Sequence, residues 1–362
     1  MSLVGRPPFP VPSRRLRHLV CALGLAAACA AGGAPVPPPA ESALAPVEVK
    51  DLAYGDVLFH FFQDDYFGAL TRLTVAQERG RLLHHADDAE LLSGGLYLSL
   101  GQHREAGEIF SRVLDRKNVP APVRDRARFY LGKVWYQRGY MEKAVTVLGN
   151  TGARTLPPNM DAERRLLLAE ALLAQGKYDE AVAALRGWKG PRTWAAYAQF
   201  NLGVALVRSG HLDEGVHELD ALGRLALPGA EGAALRDKAN LAMGYALLQA
   251  SRPVEAAEAL ERVRLEGPLS TRALLGVGWA ESAKGEFKDA LTPWLELQSR
   301  NLLDPAVQES YLAVPYAYAK LGANSQAAQY YETAVREFEA ESARIEESID
   351  AIRGGKLLEA II

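Results

Sequence analysis

The side chains that could perform chemistry are few and are scattered along the sequence. Of the seven histidines, His84 and His85 are neighbours that fall on different faces of a helix. His211 and His217 are six residues apart, a spacing that does not place both on one helix face as metal ligands require. No His-Glu-x-x-His motif, Gly-x-Ser-x-Gly elbow or Gly-x-x-x-x-Gly-Lys-Ser/Thr loop occurs. The sequence therefore predicts no catalytic site, cofactor or metal, and we expect a non-enzymatic protein.

Acidic residues recur in pairs, and these pairs are the remaining candidates for metal ligands. They are Asp64-Asp65, Asp87-Asp88, Asp179-Glu180 and Asp213-Glu214. We interpret them as helix starts, because carboxylates interact favourably with the positive end of the helix dipole. The chain as a whole carries a net charge of -3, which disfavours a general nucleic-acid binder.

Residues 1–30 have the organisation of a secretory signal peptide. Four arginines precede an apolar run from Leu19 to Ala31, and small residues end that run and follow it. The segment contains no acidic residue. The run is about thirteen residues long, which is short for a membrane span. We therefore expect export to the periplasm. The alternative interpretation is an Ala-rich N-terminal helix of a cytosolic protein.

Both cysteines, Cys21 and Cys29, lie within this segment. If cleavage follows Ala30, the mature protein contains no cysteine and so no disulfide. The stretch Ala26-Ala27-Ala28-Cys29 also resembles a bacterial lipobox, with Ala26 where that family usually carries Leu. That resemblance implies a lipid-modified Cys29 and a membrane-anchored lipoprotein, so a soluble and an anchored form both stay open.

Four regions follow from composition and pattern. Residues 1–30 form the signal peptide, and residues 31–49 form a Pro/Ala-rich linker that favours extended, spacer-like conformations. We expect the folded domain to cover residues 50–340 and a helical extension to cover 341–362. The apolar ending Ile361-Ile362 is unusual for the last helix of a repeat array, which normally presents a polar face.

The stretch from Leu166 to Trp188 predicts two amphipathic helices joined at Gly176. Gly176 stands where a helix that ends in a left-handed residue requires glycine. Seven other stretches align with it at intervals of 34 to 41 residues, which predicts an α-solenoid. The eight turn positions are Asp64, Gly101, Gly139, Gly176, Gly210, Ser251, Gly285 and Gly322. A small residue seven positions earlier should let the two helices approach closely, as at Gly94, Gly132, Ala169, Gly203, Gly244 and Gly278.

The aligned pattern resembles the tetratricopeptide repeat (TPR) over about residues 50–340. Two matches carry the resemblance: Leu131-Gly132-x-x-Trp135 with Gly139, Ala144 and Leu148, and Leu202-Gly203-x-x-Leu206 with Gly210, Gly215 and Leu219. The resemblance implies an all-α fold, a right-handed α-solenoid of about eight TPR-like helix hairpins. It also implies that the first helix of each hairpin faces a concave groove that holds a protein or peptide partner.

Ten residues map onto groove-facing positions of that family and are the predicted partner-binding set. They are Phe129, Lys133, Tyr136, Tyr197, Phe200, Lys238, Tyr245, Arg272, Trp279 and Tyr316. Aromatic and basic side chains of this kind often supply binding hot spots, although any one of them could instead pack between repeats. We expect an interaction scaffold or adaptor in the bacterial cell envelope. The alternatives are a self-assembling module that docks through its C-terminal helix, and a carbohydrate-binding envelope protein.

Overall fold

The computed structural model describes residues 49–152 and 155–355, and the predicted signal peptide, Cys29, nearly all of the linker and residues 356–362 lie outside this part. The described residues form sixteen α-helices and no strand, as expected for the all-α fold. They divide into two compact units, residues 49–211 and 212–355. No helix among them combines the length and apolar character needed to cross a bilayer.

The first unit contains nine helices, eight of which pair into four hairpins. They are α1 (Leu52–Phe61), α2 (Tyr66–Glu78), α3 (Ala86–Ser99), α4 (His103–Asp115), α5 (Ala121–Gln137), α6 (Met141–Gly149), α7 (Pro158–Ala174), α8 (Tyr178–Leu185) and α9 (Arg192–Arg208). Its core is a series of apolar clusters, each built from one hairpin and a helix of the next.

The second unit contains seven helices, six of which pair into three hairpins. They are α10 (Leu212–Gly223), α11 (Gly229–Gln249), α12 (Pro253–Leu260), α13 (Ser270–Lys284), α14 (Phe287–Gln298), α15 (Pro305–Lys320) and α16 (Asn324–Arg353). A buried cluster around Trp294 joins α13, α14, α15 and the start of α16.

All eight predicted turn positions adopt a left-handed backbone. The six glycines have φ between +73° and +92°, and the two exceptions, Asp64 and Ser251, have φ of 58° and 59°. Glycine has no Cβ to clash in this region, which explains its use at six of the eight turns. At Asp64 the strained position is supported locally, since the Tyr66 hydroxyl donates to the Asp64 carboxylate at 2.8 Å.

The predicted close-packing glycines lie directly against the second helix of their own hairpin. A Cβ placed on Gly94 would overlap the ring of Phe110, one on Gly132 would overlap Leu148, and one on Gly278 would overlap the indole of Trp294. These large residues are fully buried. The small residue on the first helix and the large residue on the second are therefore a matched pair.

Prolines mark several repeat boundaries, as their chemistry predicts. Pro120, Pro157 and Pro228 are the N-caps of α5, α7 and α11. Proline suits a helix start because the first backbone N–H groups of a helix have no intrahelical acceptor. The last helix, α16, runs without a break from Asn324 to Arg353 and so passes through the predicted boundary between residues 340 and 341.

Candidate functional site

The first helices of successive hairpins present three equivalent positions to the predicted groove. Counted back from the turn residue of each repeat, they are the thirteenth, tenth and sixth residues, which we call the −13, −10 and −6 positions. In the repeat that turns at Gly285, for example, they hold Arg272, Leu275 and Trp279. The three positions have different environments, and the difference decides which residues are available to a partner.

The −10 position is buried in six of the eight repeats, so fewer of the predicted residues are available to a partner. Phe129 packs with Leu148, Leu156 and Ala171, so its ring is covered by the following hairpin. Phe200 is buried in the same way as Leu241 and Leu275 at the equivalent positions. Our expectation that Phe129 and Phe200 face a partner therefore needs correction, because the following hairpin covers Phe129 and the side chain of Phe200 is buried.

The −6 and −13 positions join neighbouring first helices through polar contacts. In the first unit the Lys133 ammonium on α5 donates to Glu163 Oε1 on α7 at 2.6 Å. The Arg126 guanidinium pairs with Asp88 at 2.8 Å between α5 and α3. These contacts tie each first helix to the next and leave the side chains half-exposed.

At the −6 position of α7, the half-buried Glu170 makes the corresponding contacts to both neighbouring first helices. Tyr136 donates its hydroxyl to Glu170 Oε2 at 2.6 Å, and the Asn201 amide donates to Glu170 Oε1 at 3.1 Å. Burial raises the pKa of Glu170, and the two hydrogen bonds to the carboxylate act in the opposite direction. The pKa of Tyr136 is raised by burial and by the neighbouring Glu170. This trio therefore holds a proton-sensitive group between three first helices.

In the second unit, aromatic side chains at the −6 position donate the hydrogen bonds to the next first helix. Tyr245 on α11 donates its hydroxyl to the backbone carbonyl of Arg272 at 2.8 Å. Trp279 on α13 donates its indole N–H to Glu309 Oε1 on α15 at 2.8 Å. Tyr245 is buried, and burial raises its pKa, so its hydroxyl is a structural donor and its ring is not presented to a partner.

Aromatic rings surround Trp279. Its ring centroid lies 5.0 Å from that of Trp294 and 6.2 Å from that of Tyr316. The ammonium of Lys320 lies 5.5 Å from the centroid of Tyr316. Trp279 and Tyr316 are both half-buried, so each keeps part of its ring available for contact.

Two cations at the −13 position differ from the charged residues at this position in the first unit, because they have no ion pair. The half-buried side chains of Lys238 on α11 and Arg272 on α13 make no ion pair or side-chain hydrogen bond within the described part of the chain. Their counterparts Arg126 and Glu163 in the first unit are both paired. The second unit therefore presents two positive charges without an ion pair on the consecutive first helices α11 and α13, and the aromatic pair Trp279 and Tyr316 lies on α13 and α15 of the same unit.

The predicted residues thus fall into two groups. Lys133, Tyr136, Tyr197, Lys238, Arg272, Trp279 and Tyr316 are half-buried, whereas Phe129, Phe200 and Tyr245 are core residues. Sequence reasoning missed Asp88, Arg126 and Glu309, which are equivalent to predicted residues by their distance from the turn. Comparing charges at equivalent positions in successive repeats would have found them.

Other features of the described residues point to no second chemical site. No group of three His, Cys, Asp or Glu side chains is placed to hold a metal within residues 49–152 and 155–355. A shallow cleft of about 430 Å³ near α2, α3 and α4 is lined by residues that include Glu90, Ser93 and Arg112. None of the ten predicted partner-binding residues lines it.

Comparison with solved structures found similar helical proteins. RapI in its apo form is 12% identical, with 84% of this chain and 92% of RapI covered and a TM-score of 0.53. A tetratricopeptide repeat protein from Parabacteroides merdae is 14% identical, with 73% of this chain and 99% of that chain covered and a TM-score of 0.43. MamA (MSR-1) is 20% identical, with 50% and 96% covered and a TM-score of 0.38. The comparison with curated proteins found no match.

The hairpins, their left-handed turns and their close-packed glycines define an all-α solenoid built from repeats. The family model for the tetratricopeptide repeat matches residues 91–150 and 241–299, one region in each unit. These two regions are tetratricopeptide repeats, and the helix hairpins of the described residues have the fold of a tetratricopeptide-type solenoid. At the identities found, the likeness to RapI shows the fold alone.

Proposed function

We propose that this protein is a non-enzymatic interaction scaffold of the bacterial cell envelope. Its partner is a protein segment that binds across the first helices of the second unit, α11, α13 and α15. The observation that carries the proposal is the pair of cations without an ion pair, Lys238 and Arg272, on first helices of the unit that also holds the half-buried Trp279 and Tyr316.

A half-buried cation without a carboxylate loses part of its hydration and gains no ion pair in return. Lys238 and Arg272 recover that interaction when a partner supplies carboxylates. Charge-assisted hydrogen bonds of this kind are stronger than neutral ones, and the guanidinium of Arg272 can hold a carboxylate with two parallel N–H donors. The partner segment is therefore acidic where it meets these two helices.

The neighbouring aromatic surface favours an apolar or aromatic side chain in the same partner segment. Trp279 is held in place by its bond to Glu309 and by the ring of Trp294, so little side-chain entropy is lost when it makes a further contact. Rigid aromatic residues of this kind commonly dominate binding energy at protein interfaces. An acidic segment with one large apolar residue would satisfy both parts of the surface.

The envelope location rests on the signal-peptide pattern of residues 1–30, which predicts export. We further propose that Cys29 carries a lipid anchor, which would place the scaffold at a membrane surface with its repeats in the periplasm. The Pro/Ala-rich residues 31–49 would then act as the spacer between anchor and repeats.

The test compares two double variants in cross-linking of envelope extract to the tagged chain. The first is Lys238→Glu with Arg272→Glu, which reverses both unpaired charges. The matched control is Lys117→Glu with Lys288→Glu, which makes the same change in net charge at two exposed lysines outside the first helices.

We expect the first variant to lose its cross-linked partner and the control to keep the partner. The partner identified by mass spectrometry should carry an acidic segment at the cross-link. Equal capture by both variants, or a cross-linked segment without acidic residues, would contradict the proposed surface. Thermal unfolding of both variants checks that the charge changes leave the fold intact.

A further inference from the structure

The last helix, α16, carries an apolar stripe at coiled-coil spacing. The stripe alternates steps of four and three residues along the helix, and its members are Tyr331, Val335, Phe338, Ser342, Ile345, Ile349 and Ile352. A sustained period of 3.5 residues is the pattern that packs one helix along another. We call these seven residues the terminal stripe.

The terminal stripe begins at a packing surface of the last hairpin that no other described residue covers. In the seven preceding repeats the residue nine positions after the turn, for example Trp294, is fully buried. Its equivalent in the last repeat, Tyr331, is 40% exposed, and Leu312 at the −10 position of α15 is 53% exposed. The −10 position is buried in six of the seven earlier repeats and half-buried at Leu166.

Beyond the repeat, the helix continues with no packing partner among the described residues. The last buried residue of α16 is Ala334, and Phe338 is its last side chain packed on the apolar cluster. The fifteen residues from Glu339 to Arg353 extend the helix by about 22 Å at 1.5 Å per residue. Ile345, Ile349 and Ile352 are each at least 40% exposed on this extension.

Acidic residues flank the terminal stripe. Glu332, Glu339 and Glu346 directly follow three stripe residues, at the positions where coiled coils place the charges that select a partner. Arg344 is engaged by Glu341 and Arg353 by Asp350 on the same helix. Glu339 and Glu346 make no ion pair within the described part of the chain. The flank therefore presents net negative charge.

We propose that the terminal stripe is a second docking surface and that it takes an amphipathic helix of another protein with Lys or Arg beside its own apolar stripe. The isoleucines supply the apolar contact, and the unpaired glutamates supply the charge complementarity. The surface lies on a different helix from Lys238 and Arg272, so this inference does not depend on the proposed function.

Self-association through the same helix is disfavoured by its charges. In a parallel pair of copies, Glu341 of one copy faces Glu346 of the other across the stripe, and in an antiparallel pair the glutamates that follow the stripe residues face each other. Like charges at these positions repel each other and therefore disfavour pairing between two copies of the helix. Ser342 at the centre of the stripe also weakens an apolar seam between two copies.

The test measures binding of synthetic helical peptides to the full chain. The probe peptide has about three heptads with Leu at the core positions and Lys at the flanking positions, and the matched peptide has Glu at the flanking positions. We expect the Lys peptide to bind and the Glu peptide to bind at least about tenfold more weakly. The chain itself should be monomeric by light scattering at the concentrations used.

The variant Ile345→Glu with Ile349→Glu separates stripe binding from general attraction between opposite charges. It removes apolar surface but adds two negative charges, so nonspecific attraction to the Lys peptide would become stronger. We expect instead a loss of about tenfold or more in affinity, because the apolar core residues carry the contact. The control Leu83→Glu with Val254→Glu changes two other exposed apolar residues and should bind the Lys peptide no more weakly than the unaltered chain.

Three results would overturn the inference. They are a Lys peptide that does not bind, binding that is unchanged or stronger in the Ile345→Glu/Ile349→Glu variant, and a chain that dimerises until these isoleucines are replaced. The last result would assign the terminal stripe to a second copy. Circular dichroism of the variant checks that α16 remains helical, since both substitutions lie on its exposed part.

Discussion

At single residues, the repeats depend on glycines that leave room for one large side chain. Gly278 on α13 lies against Trp294 on α14, whose indole is fully buried and donates to the carbonyl of Leu275 at 3.3 Å. The indole is rigid and enclosed, so it cannot move away from an added methyl group. We expect Gly278→Ala to destabilise the protein by about 1–3 kcal/mol, measured by denaturant unfolding.

Gly95 on α3 provides the matched control for this substitution. A Cβ at Gly95 meets no atom within 4 Å, so Gly95→Ala adds a methyl group without a clash. Alanine also has the higher helix propensity, and we expect this variant to be as stable as the unaltered chain or more stable by about 0.4–1 kcal/mol. Equal effects of the two substitutions would show that close packing at Gly278 does not matter.

Glu170 predicts a specific dependence of stability on pH. Burial raises its pKa above the ordinary value of 4.5, so the folded protein favours the protonated form more than the unfolded chain does. The stability that protonation contributes is present below pH 4.5 and is lost as the pH rises through the raised pKa. Glu170→Gln cannot ionise, and its melting temperature should exceed that of the unaltered chain by an amount that grows with pH above 4.5.

The control for this pH profile is Glu142→Gln, an exposed glutamate near the start of α6. Its melting temperature should follow that of the unaltered chain at every pH. A Glu170→Gln profile parallel to that of the unaltered chain would mean that Glu170 keeps its ordinary pKa in the folded protein.

At the level of the helix, equivalent positions differ according to whether another repeat follows. Leu275 on α13 is 3% exposed and packs in the apolar cluster, whereas Leu312 at the same position of α15 is 53% exposed. We expect Leu275→Ala to cost about 2–5 kcal/mol, because it opens a cavity. Leu312→Ala should cost less than about 1 kcal/mol, since water already reaches the side chain.

Denaturant unfolding of the two variants under identical conditions measures this difference. Since the substitution and the repeat position are the same, only the presence of a following helix distinguishes them. A cost at Leu312 as large as that at Leu275 would mean that the terminal surface is already covered in solution.

The sequence predicted those parts of the fold that depend on local geometry. The eight turns could be located because a glycine at the turn and a small residue seven positions earlier each recur in six of the eight repeats, and every predicted turn has positive φ. The −10 position could not be assigned in the same way. Whether Phe129 faces solvent or the next hairpin depends on how successive repeats are rotated, which no local pattern reports.

The polar contacts of the site were harder to predict for a related reason. Glu170 meets Tyr136 and Asn201 only because three first helices approach one another, and these residues are far apart in the sequence. The sequence also could not predict that Lys238 and Arg272 lack an ion pair, because it does not show which charged residues lie close together in the fold. The predicted partner-binding role of the half-buried residues stays a prediction.

For the whole molecule, the N-terminal pattern predicts processing on export. Mass spectrometry of the mature protein from an envelope fraction should find either a diacyl-modified Cys29 at the N-terminus or an unmodified chain that starts near Ala31. The first result would support an anchored scaffold and the second a soluble periplasmic one. An intact chain beginning at Met1 in the cytosol would contradict the predicted export.

The central claim is that partners bind on the first helices of the second unit, where Lys238 and Arg272 lack carboxylates. Site-specific photo-cross-linking in the producing cell tests it most directly, with the reactive residue placed in turn at positions 238, 272, 117 and 288. We predict cross-links to one partner protein from positions 238 and 272 and none to that protein from positions 117 and 288. Adducts to the same protein from all four positions, or none from 238 and 272, would contradict the claim.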